Sequence, residues 1–375
     1  MKKYKLTLIS ILLFMVFSFI SCRKETVTDP NQPLIDQLKL AADSVIKNTP
    51  VSGLVALVVD HKRGINWLYA AGVSNKETNA PMDVNHTFRI ASCTKTFTLT
   101  VLLQLVDEGK VSLNDKLSKY YPEYQASDSI TVLMLSNMTS GVSDYFNDDR
   151  WQNSMKTTPL RVWNPKEFAD MSFSHPLDFR PGNGYRYSNV NTIIIGMIIE
   201  KVTGNTLESE IGNRIINPLQ LVNSGFITNG TQLPGNHGRG YDFGELDLTG
   251  DFTESFDLSN CWAAGSVYTT PRELQIFIER LVKGGFLSDS LQYRRLNNDF
   301  SDISQIQSYG IGISKLASFY GHNGIIWGYL TSMYYSPSKD CTVIIYYNLC
   351  QPSSHVPDNL FGKFLLILYG SYLNA

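Results

Sequence analysis

The sequence predicts an α/β chain of the α+β type, in which segments from the two ends form one antiparallel sheet, flanked by helices, with a mostly helical lobe inserted between them. Runs of strand texture lie near the two ends only, in "GLVALVVD" and "GINWLYAAG" early and in "YGIGISKL", "FYGHNG", "GYLTSMYYS" and "CTVIIYYNL" late. Helical periodicity brackets them, in "LIDQLKLAADSVIKN" before the first strand and from Leu360 to Tyr369 after the last. From about Asn114 to Ser259 the texture changes to short helices and loops studded with Pro, Gly and Asn. Short β-branched and aromatic runs bounded by turn residues read as strands, and apolar residues three and four apart read as helix. At 375 residues, 43% of them apolar, the chain can bury a full core.

Taken in order, the N-terminus "MKKYKLTLISILLFMVFSFISC" has three lysines, an apolar stretch from Leu6 to Ile20, then Ser21-Cys22. That is a secretory signal layout, shorter than the roughly 20 residues a membrane-spanning helix needs. The small residue before Cys22 resembles a bacterial lipoprotein box, with Phe19 where leucine is usual. The expectation is a signal peptide over 1–22 ending at a lipidated Cys22, a polar tether over 23–33, and one domain over 34–375 carrying the insert at about 114–259. A lipid on Cys22 places the mature chain on a bacterial envelope membrane, facing the periplasm or the exterior. An ordinary signal peptide or an uncleaved anchor is the alternative. "HKRG" joins the first two strands as a hairpin, the loop "DVNHTFRIAS" runs into a helix ending near Gly109, and "SPSKD" is a turn between late strands.

Several function classes are excluded early. A formal charge of -2 and no Lys/Arg run leave nothing to track a polyanion, so no nucleic-acid partner is expected. Cys93, Cys261, Cys341 and Cys350 are too far apart for a zinc pattern or a C-x-x-C redox site, and read as buried apolar residues or at most one disulfide. The six histidines are scattered, with no H-E-x-x-H, and no G-x-S-x-G follows a strand. No cofactor or metal is expected.

The pattern S-x-x-K occurs four times, at Ser21, Ser44, Ser92 and Ser336. Ser21 belongs to the signal peptide, Ser44 to a surface helix and Ser336 to a tight turn. Ser92 stands where a loop enters a helix, so Lys95 shares its face one turn on. The helix N-terminus offers free N–H groups and a positive dipole end, which favour an alkoxide at Ser92. Lys95 lies on a helix of apolar residues, and desolvation there lowers its pKa toward that of a usable base. Cys93 is rotated away and is a poor rival. Of four Y-x-N matches, at Tyr145, Tyr187, Tyr346 and Tyr372, Tyr187-Ser188-Asn189 lies where a Gly/Pro loop meets an apolar helix, a place to hold a side chain at a cleft edge.

"ASCTKTFT", "FRPGNGYRYSNVNTIIIGMIIEKVTG", "NPLQL", "AAGSVYTTPRELQIFI" and "GHNGIIWGYLTSM" together resemble the class C β-lactamase and D-alanyl-D-alanine carboxypeptidase superfamily, which also includes esterases. The likeness runs from about Ile35 to the C-terminus. It implies that Ser92 is the acylated nucleophile, Lys95 its proton acceptor or electrostatic support, and Tyr187 the acid/base that protonates the leaving group. Asn189 would hydrogen-bond Lys95 and a substrate amide. The third motif, usually Lys-Thr-Gly, is here His322-Asn323-Gly324: Gly324 would let substrate approach the strand, and the N–H groups of Ile325 and Ser92 would form the oxyanion hole.

Substituting His322 for lysine removes a fixed charge that would attract a substrate carboxylate, and Asn323 replaces a hydroxyl that would contact it. The resemblance thus implies an envelope serine hydrolase acting on an ester or a D-amino-acid amide or peptide, with a small-molecule or short-peptide substrate. The alternatives are a class C-type β-lactamase and a weakly catalytic protein that binds peptidoglycan peptides. His322 among aromatic strands also reads as a satisfied core histidine, and Asp144 and Asp148 to Arg150 as a solvated loop.

Overall fold

The computed structural model describes residues 29–243, 249–350 and 356–371. The proposed signal peptide with Cys22, most of the tether, and Tyr372 lie outside the described residues. From Leu34 onward the chain forms one compact unit.

Its centre is a nine-stranded antiparallel sheet built from both ends of the chain, as the sequence predicts. The early strands are β1 (Gly53–Asp60), β2 (Ile65–Asn75) and β3 (Ala80–Pro81). The late ones are β4 (Ser301–Asp302), β5 (Gln307–Tyr309), β6 (Ser314–Leu316), β7 (Phe319–Ile326), β8 (Tyr329–Ser336) and β9 (Cys341–Tyr347). Their order across the sheet is β3-β2-β1-β9-β8-β7-β6-β5-β4. Early and late halves join where β1 pairs with β9, Leu54 opposite Tyr347 through to Asp60 opposite Cys341.

β1 is apolar from Leu54 to Val59 because both of its faces are covered. Leu54, Ala56 and Val58 face the terminal helices α1 (Gln32–Asn48) and α5 (Val356–Tyr369), in one core with Leu38, Ala42, Phe361 and Phe364. Val55, Leu57 and Val59 face the opposite core, which holds α2 (Thr94–Asp107), α3 (Asn189–Thr203) and α4 (Pro271–Lys283). Helix α5 begins four residues before the predicted Leu360. The run "YGIGISKL" is not one strand: it breaks between β5 and β6, where Gly312 turns in the left-handed region.

Between the sheet halves the chain forms short helices, the three long helices, one small three-stranded sheet and two strands of another, whose third strand, Leu349–Cys350, follows β9. Helix α2 is buried on all sides from Thr94 to Leu103, so it runs through the core instead of lying on a surface. Helix α3 is buried from Val190 to Ile199 and stops at Gly204, whose left-handed conformation closes the helix. Helix α4 is capped by Thr270, which accepts from the Glu273 N–H, and starts with a proline at its first position. All four described cysteines are buried free thiols, so the disulfide the sequence allowed is not formed.

Candidate active site

A single turn of 3₁₀ helix, Ala91–Cys93, precedes α2 and carries Ser92. Ala91 sits at φ 48°, a left-handed backbone that costs an alanine about 1 kcal/mol or more and that a surrounding structure must impose. One turn into α2, Lys95 is fully buried, with Nζ 2.9 Å from Ser92 Oγ. Nζ also donates to Asn189 Oδ1 at 2.8 Å and to the Ala264 carbonyl at 3.1 Å. Those two oxygens can only accept, so they take two N–H groups and leave the remaining position of the amine facing Ser92. On a neutral lysine that position is the lone pair. Burial brings the Lys95 pKa down to about 7, against the pull of Asp144, so the neutral form is accessible near neutrality.

Asn189 is the first residue of α3, and Tyr187 stands two residues before it on the loop that the Gly/Pro motif predicts. The Tyr187 hydroxyl is buried without a well-formed hydrogen bond. Burial drives its pKa well above the usual range, with Ser92 nearby partly offsetting the rise. It is therefore a phenol, able to give a proton. The Tyr187 ring lies 5.0 Å from Lys95 Nζ. Of the rival Y-x-N matches, Tyr346 is core, and Tyr145 is buried with its hydroxyl given to the Asn260 carbonyl at 2.9 Å.

Ser92, Tyr187 and Asn189 open onto a cavity of about 330 Å³, at the small end for a ligand site. Tyr145, Phe146, Ala264 and Gly265 line one part of it, and Asn323, Ile325 and Ile326 of β7 another. Ile325 is 45% exposed there. Among the described lining residues none carries a formal charge.

The third motif needs correction. His322 is 2% exposed and does not line the cavity. Its Nδ1 lies against the Asn323 carbonyl, which only accepts, so Nδ1 holds the proton and Nε2 accepts from the Tyr309 hydroxyl at 3.1 Å. Burial lowers its pKa to about 3. The ring is neutral and both nitrogens are engaged: the satisfied core histidine is what the fold contains. Asn323, one residue on, points its side chain to the other face of the sheet, where Nδ2 donates to Asp358 Oδ2 at 2.8 Å. Gly324 has a use other than admitting substrate. A Cβ there would meet the Ile90 carbonyl at 2.2 Å, so its missing side chain lets the nucleophile turn pack on β7.

Sequence reading also missed Asp144. It is no solvated loop residue: its Oδ2 accepts from the Asn189 backbone N–H at 3.0 Å and from Asn189 Nδ2 at 2.9 Å. Asp148 likewise is buried, paired with Arg150 and His175. Ala264 and Gly265 lie in a motif, starting at Ala263, that the resemblance gave no role.

The Beta-lactamase family model matches residues 42–365. The chain belongs to the Beta-lactamase family. This family member is 28% identical over 218 residues to esterase EstB of Burkholderia gladioli, a match covering 53% of the chain and only 55% of the esterase's own length. It is 24% identical to the teichoic acid D-alanine hydrolase of Staphylococcus aureus, over 78% of the chain and 70% of that protein. Among solved structures, D-amino acid amidase from Ochrobactrum anthropi superposes with a TM-score of 0.79 at 25% identity, covering 90% of the chain and 99% of the amidase. A D-stereospecific amidohydrolase from Streptomyces superposes with a TM-score of 0.76 at 28% identity, covering 84% and 94%. Among the described residues no side-chain cluster suits a metal ion, and no helix is long and apolar enough to cross a membrane.

Proposed function

We propose that the protein hydrolyses a small uncharged ester or a D-amino-acid amide through an acyl-enzyme on Ser92. The arrangement of Lys95 supports this most directly: two fixed acceptors orient its amine so that the lone pair faces the Ser92 hydroxyl at 2.9 Å. Lys95 takes the Ser92 proton as Oγ attacks the substrate carbonyl carbon. The backbone N–H groups of Ser92 and Ile325 stabilise the carbonyl oxygen as it becomes negative. Tyr187 gives its proton to the departing alkoxide or amine and is reprotonated from Lys95. Water then attacks the acyl carbon, its proton taken along the same path, and releases the acid and Ser92.

The neutral, internally satisfied His322 and the uncharged cavity lining favour a substrate with no carboxylate at this end. Hydrolysis of a penicillin or of a peptide ending in D-alanine would bring such a carboxylate against a cavity lining whose described residues include no cation to meet it. The relatives' names, esterase, D-alanine hydrolase and D-amino acid amidase, fit the same reading. The test is intact mass with peptide mapping after brief exposure to a p-nitrophenyl ester, a D-phenylalanine amide, a penicillin and a D-alanyl-D-alanine peptide. An adduct on Ser92 from either of the first two is expected, and the last two should label it far more slowly. Label on Cys93, or none on any serine of folded protein, would put a binding role ahead.

The base must be neutral to act, so acylation by a neutral ester should rise with pH through about 7, where Lys95 loses its proton. A profile flat across that range, with the chemical step shown to limit the rate, would exclude Lys95 as the base.

We further propose that Cys22 carries lipid and holds the domain on an envelope membrane. The protein expressed from its full sequence should partition into the detergent phase, and Cys22→Ala should move it to the aqueous phase. Partition unaffected by the substitution would refute the anchor.

A further inference from the structure

We propose that Asp144 is a positioning residue for the reaction: its carboxylate fixes which end of the Asn189 amide faces Lys95, and its negative charge sustains the proton affinity of that lysine. The proposal rests on reading Ser92 and Lys95 as nucleophile and base.

The geometry begins with a missing cap. Ser188, at the N-cap of α3, makes no side-chain hydrogen bond to the helix. Asp144, from a loop 45 residues earlier, takes that place, accepting the Asn189 backbone N–H at 3.0 Å. The same oxygen accepts Asn189 Nδ2 at 2.9 Å, and the Phe146 N–H reaches the other oxygen at 3.2 Å. Burial pushes the Asp144 carboxyl above its ordinary range, opposed by its hydrogen bonds from Asn189 and Phe146 and by the charge of Lys95. Three donors and no acceptor leave no partner for a carboxyl proton, and a helix N-terminus favours an anion, so the geometry holds the group as a carboxylate.

A carboxylate cannot donate, so Asn189 must turn its NH₂ toward Asp144 and its Oδ1 toward Lys95, where it sits 2.8 Å from Nζ. With the opposite orientation an N–H would face the lysine, and Nζ could no longer spend a hydrogen there and keep its lone pair for Ser92. One acidic residue thus settles the hydrogen-bond directions of the whole chain from Asp144 through Asn189 and Lys95 to Ser92.

The charge matters as well as the direction. Around Lys95 the other ionisable groups are Tyr187, His322 and the thiols of Cys93 and Cys261. Burial keeps Tyr187 and Cys93 protonated and His322 neutral. Asp144 is first among the groups that oppose the burial of Lys95. Without that charge a fully buried amine would become too weak a base to draw a proton from serine.

The test reads Lys95 directly and separately from activity. In protein labelled with ¹³C-lysine, the ε-carbon signal of Lys95 is assigned by its loss in Lys95→Met and followed against pH. Its midpoint should fall by about one pH unit or more in Asp144→Asn and Asp144→Ser, and return close to the native value in Asp144→Glu. Single-turnover acylation of Ser92 by a p-nitrophenyl ester should show its acid limb moving the same way, at a lower plateau. An unmoved Lys95 midpoint in both neutral variants overturns the proposal, whatever happens to the rate. Failure of both neutral variants to fold also overturns it, because the carboxylate would then serve the start of α3 alone. A shifted midpoint with no acylation of Ser92 in the native protein upholds the link between Asp144 and Lys95 and refutes the function read from the site.

Discussion

Ser92→Ala and Lys95→Met should each slow acylation by a neutral ester about a thousandfold or more, and the double variant should be scarcely slower than either single one. The reason is that Oγ, Nζ and the Tyr187 phenol share one proton path. Once any member is gone, the others have nothing to pass on, so their separate losses cannot add. The expectation is sharpened by residues of the same type in the wrong place. Ser44 accepts from Asn48 Nδ2 on an exposed turn of α1, and Ser336 is tied to Ser318 and Ser338 at the end of β8. Cys93 gives its thiol to the His322 carbonyl at 3.2 Å inside the core, where burial raises its pKa and suppresses the nucleophilic thiolate. Ser44→Ala and Ser336→Ala should acylate at native rates. Losses at Ser92 and Lys95 that simply multiplied in the double variant would mean that the two groups act on different steps.

What the sequence disclosed follows from the range of the interactions concerned. Ser92 and Lys95 are three residues apart on one helix, so helical geometry alone brings them together, and the apolar residues around Lys95 announce its desolvation. The sheet was legible because β1 and β9 are apolar on both faces, which only a strand covered on both sides needs. Tyr187 and Asn189 were legible as a loop entering a helix.

The third motif was legible in position and misread in contacts. Strand alternation puts His322 and Asn323 on opposite faces, but the partner that closes off His322 is Tyr309 on a different strand, and the one that takes Asn323 is Asp358 on α5. Neither pairing has a sequence signal. Asp144 shows the same limit: its role depends on a loop folding back onto the first N–H of a helix 45 residues on. Ser188 at the start of α3 is itself a capping residue type, so nothing in the local sequence announces that the acceptor comes from elsewhere.

Gly324→Ala should damage catalysis more than stability, and the comparison with Gly321→Ala separates the two effects. A methyl group on Gly324 would lie 2.2 Å from the Ile90 carbonyl, a backbone atom, and 3.1 Å from Ala91 Cβ, which is fixed to the backbone next to Ser92. Neither can swing aside as a side-chain tip would. The strand β7 is held on its far side by β8, Gly324 opposite Thr331, so the nucleophile turn is what must yield. Overpacking of this kind costs about 1–3 kcal/mol, a loss a domain of this size survives. The displaced turn is the one already holding Ala91 in a left-handed conformation, and its shift carries Ser92 Oγ away from a Lys95 fixed by Asn189 and Ala264. A misplacement of about 1 Å between reacting groups can cost about a hundredfold in rate. On the same strand, a methyl group on Gly321 would meet the Met333 carbonyl at 1.8 Å, a worse clash that falls within the sheet and away from Ser92. Gly321→Ala should therefore lower the melting temperature at least as much as Gly324→Ala, while its folded molecules acylate at close to the native rate. The measurement is single-turnover acylation per folded molecule alongside the thermal melt of each variant. Native-rate acylation in folded Gly324→Ala would show that the turn tolerates the methyl group, and that the close approach of β7 to Ile90 does not hold Ser92 in place.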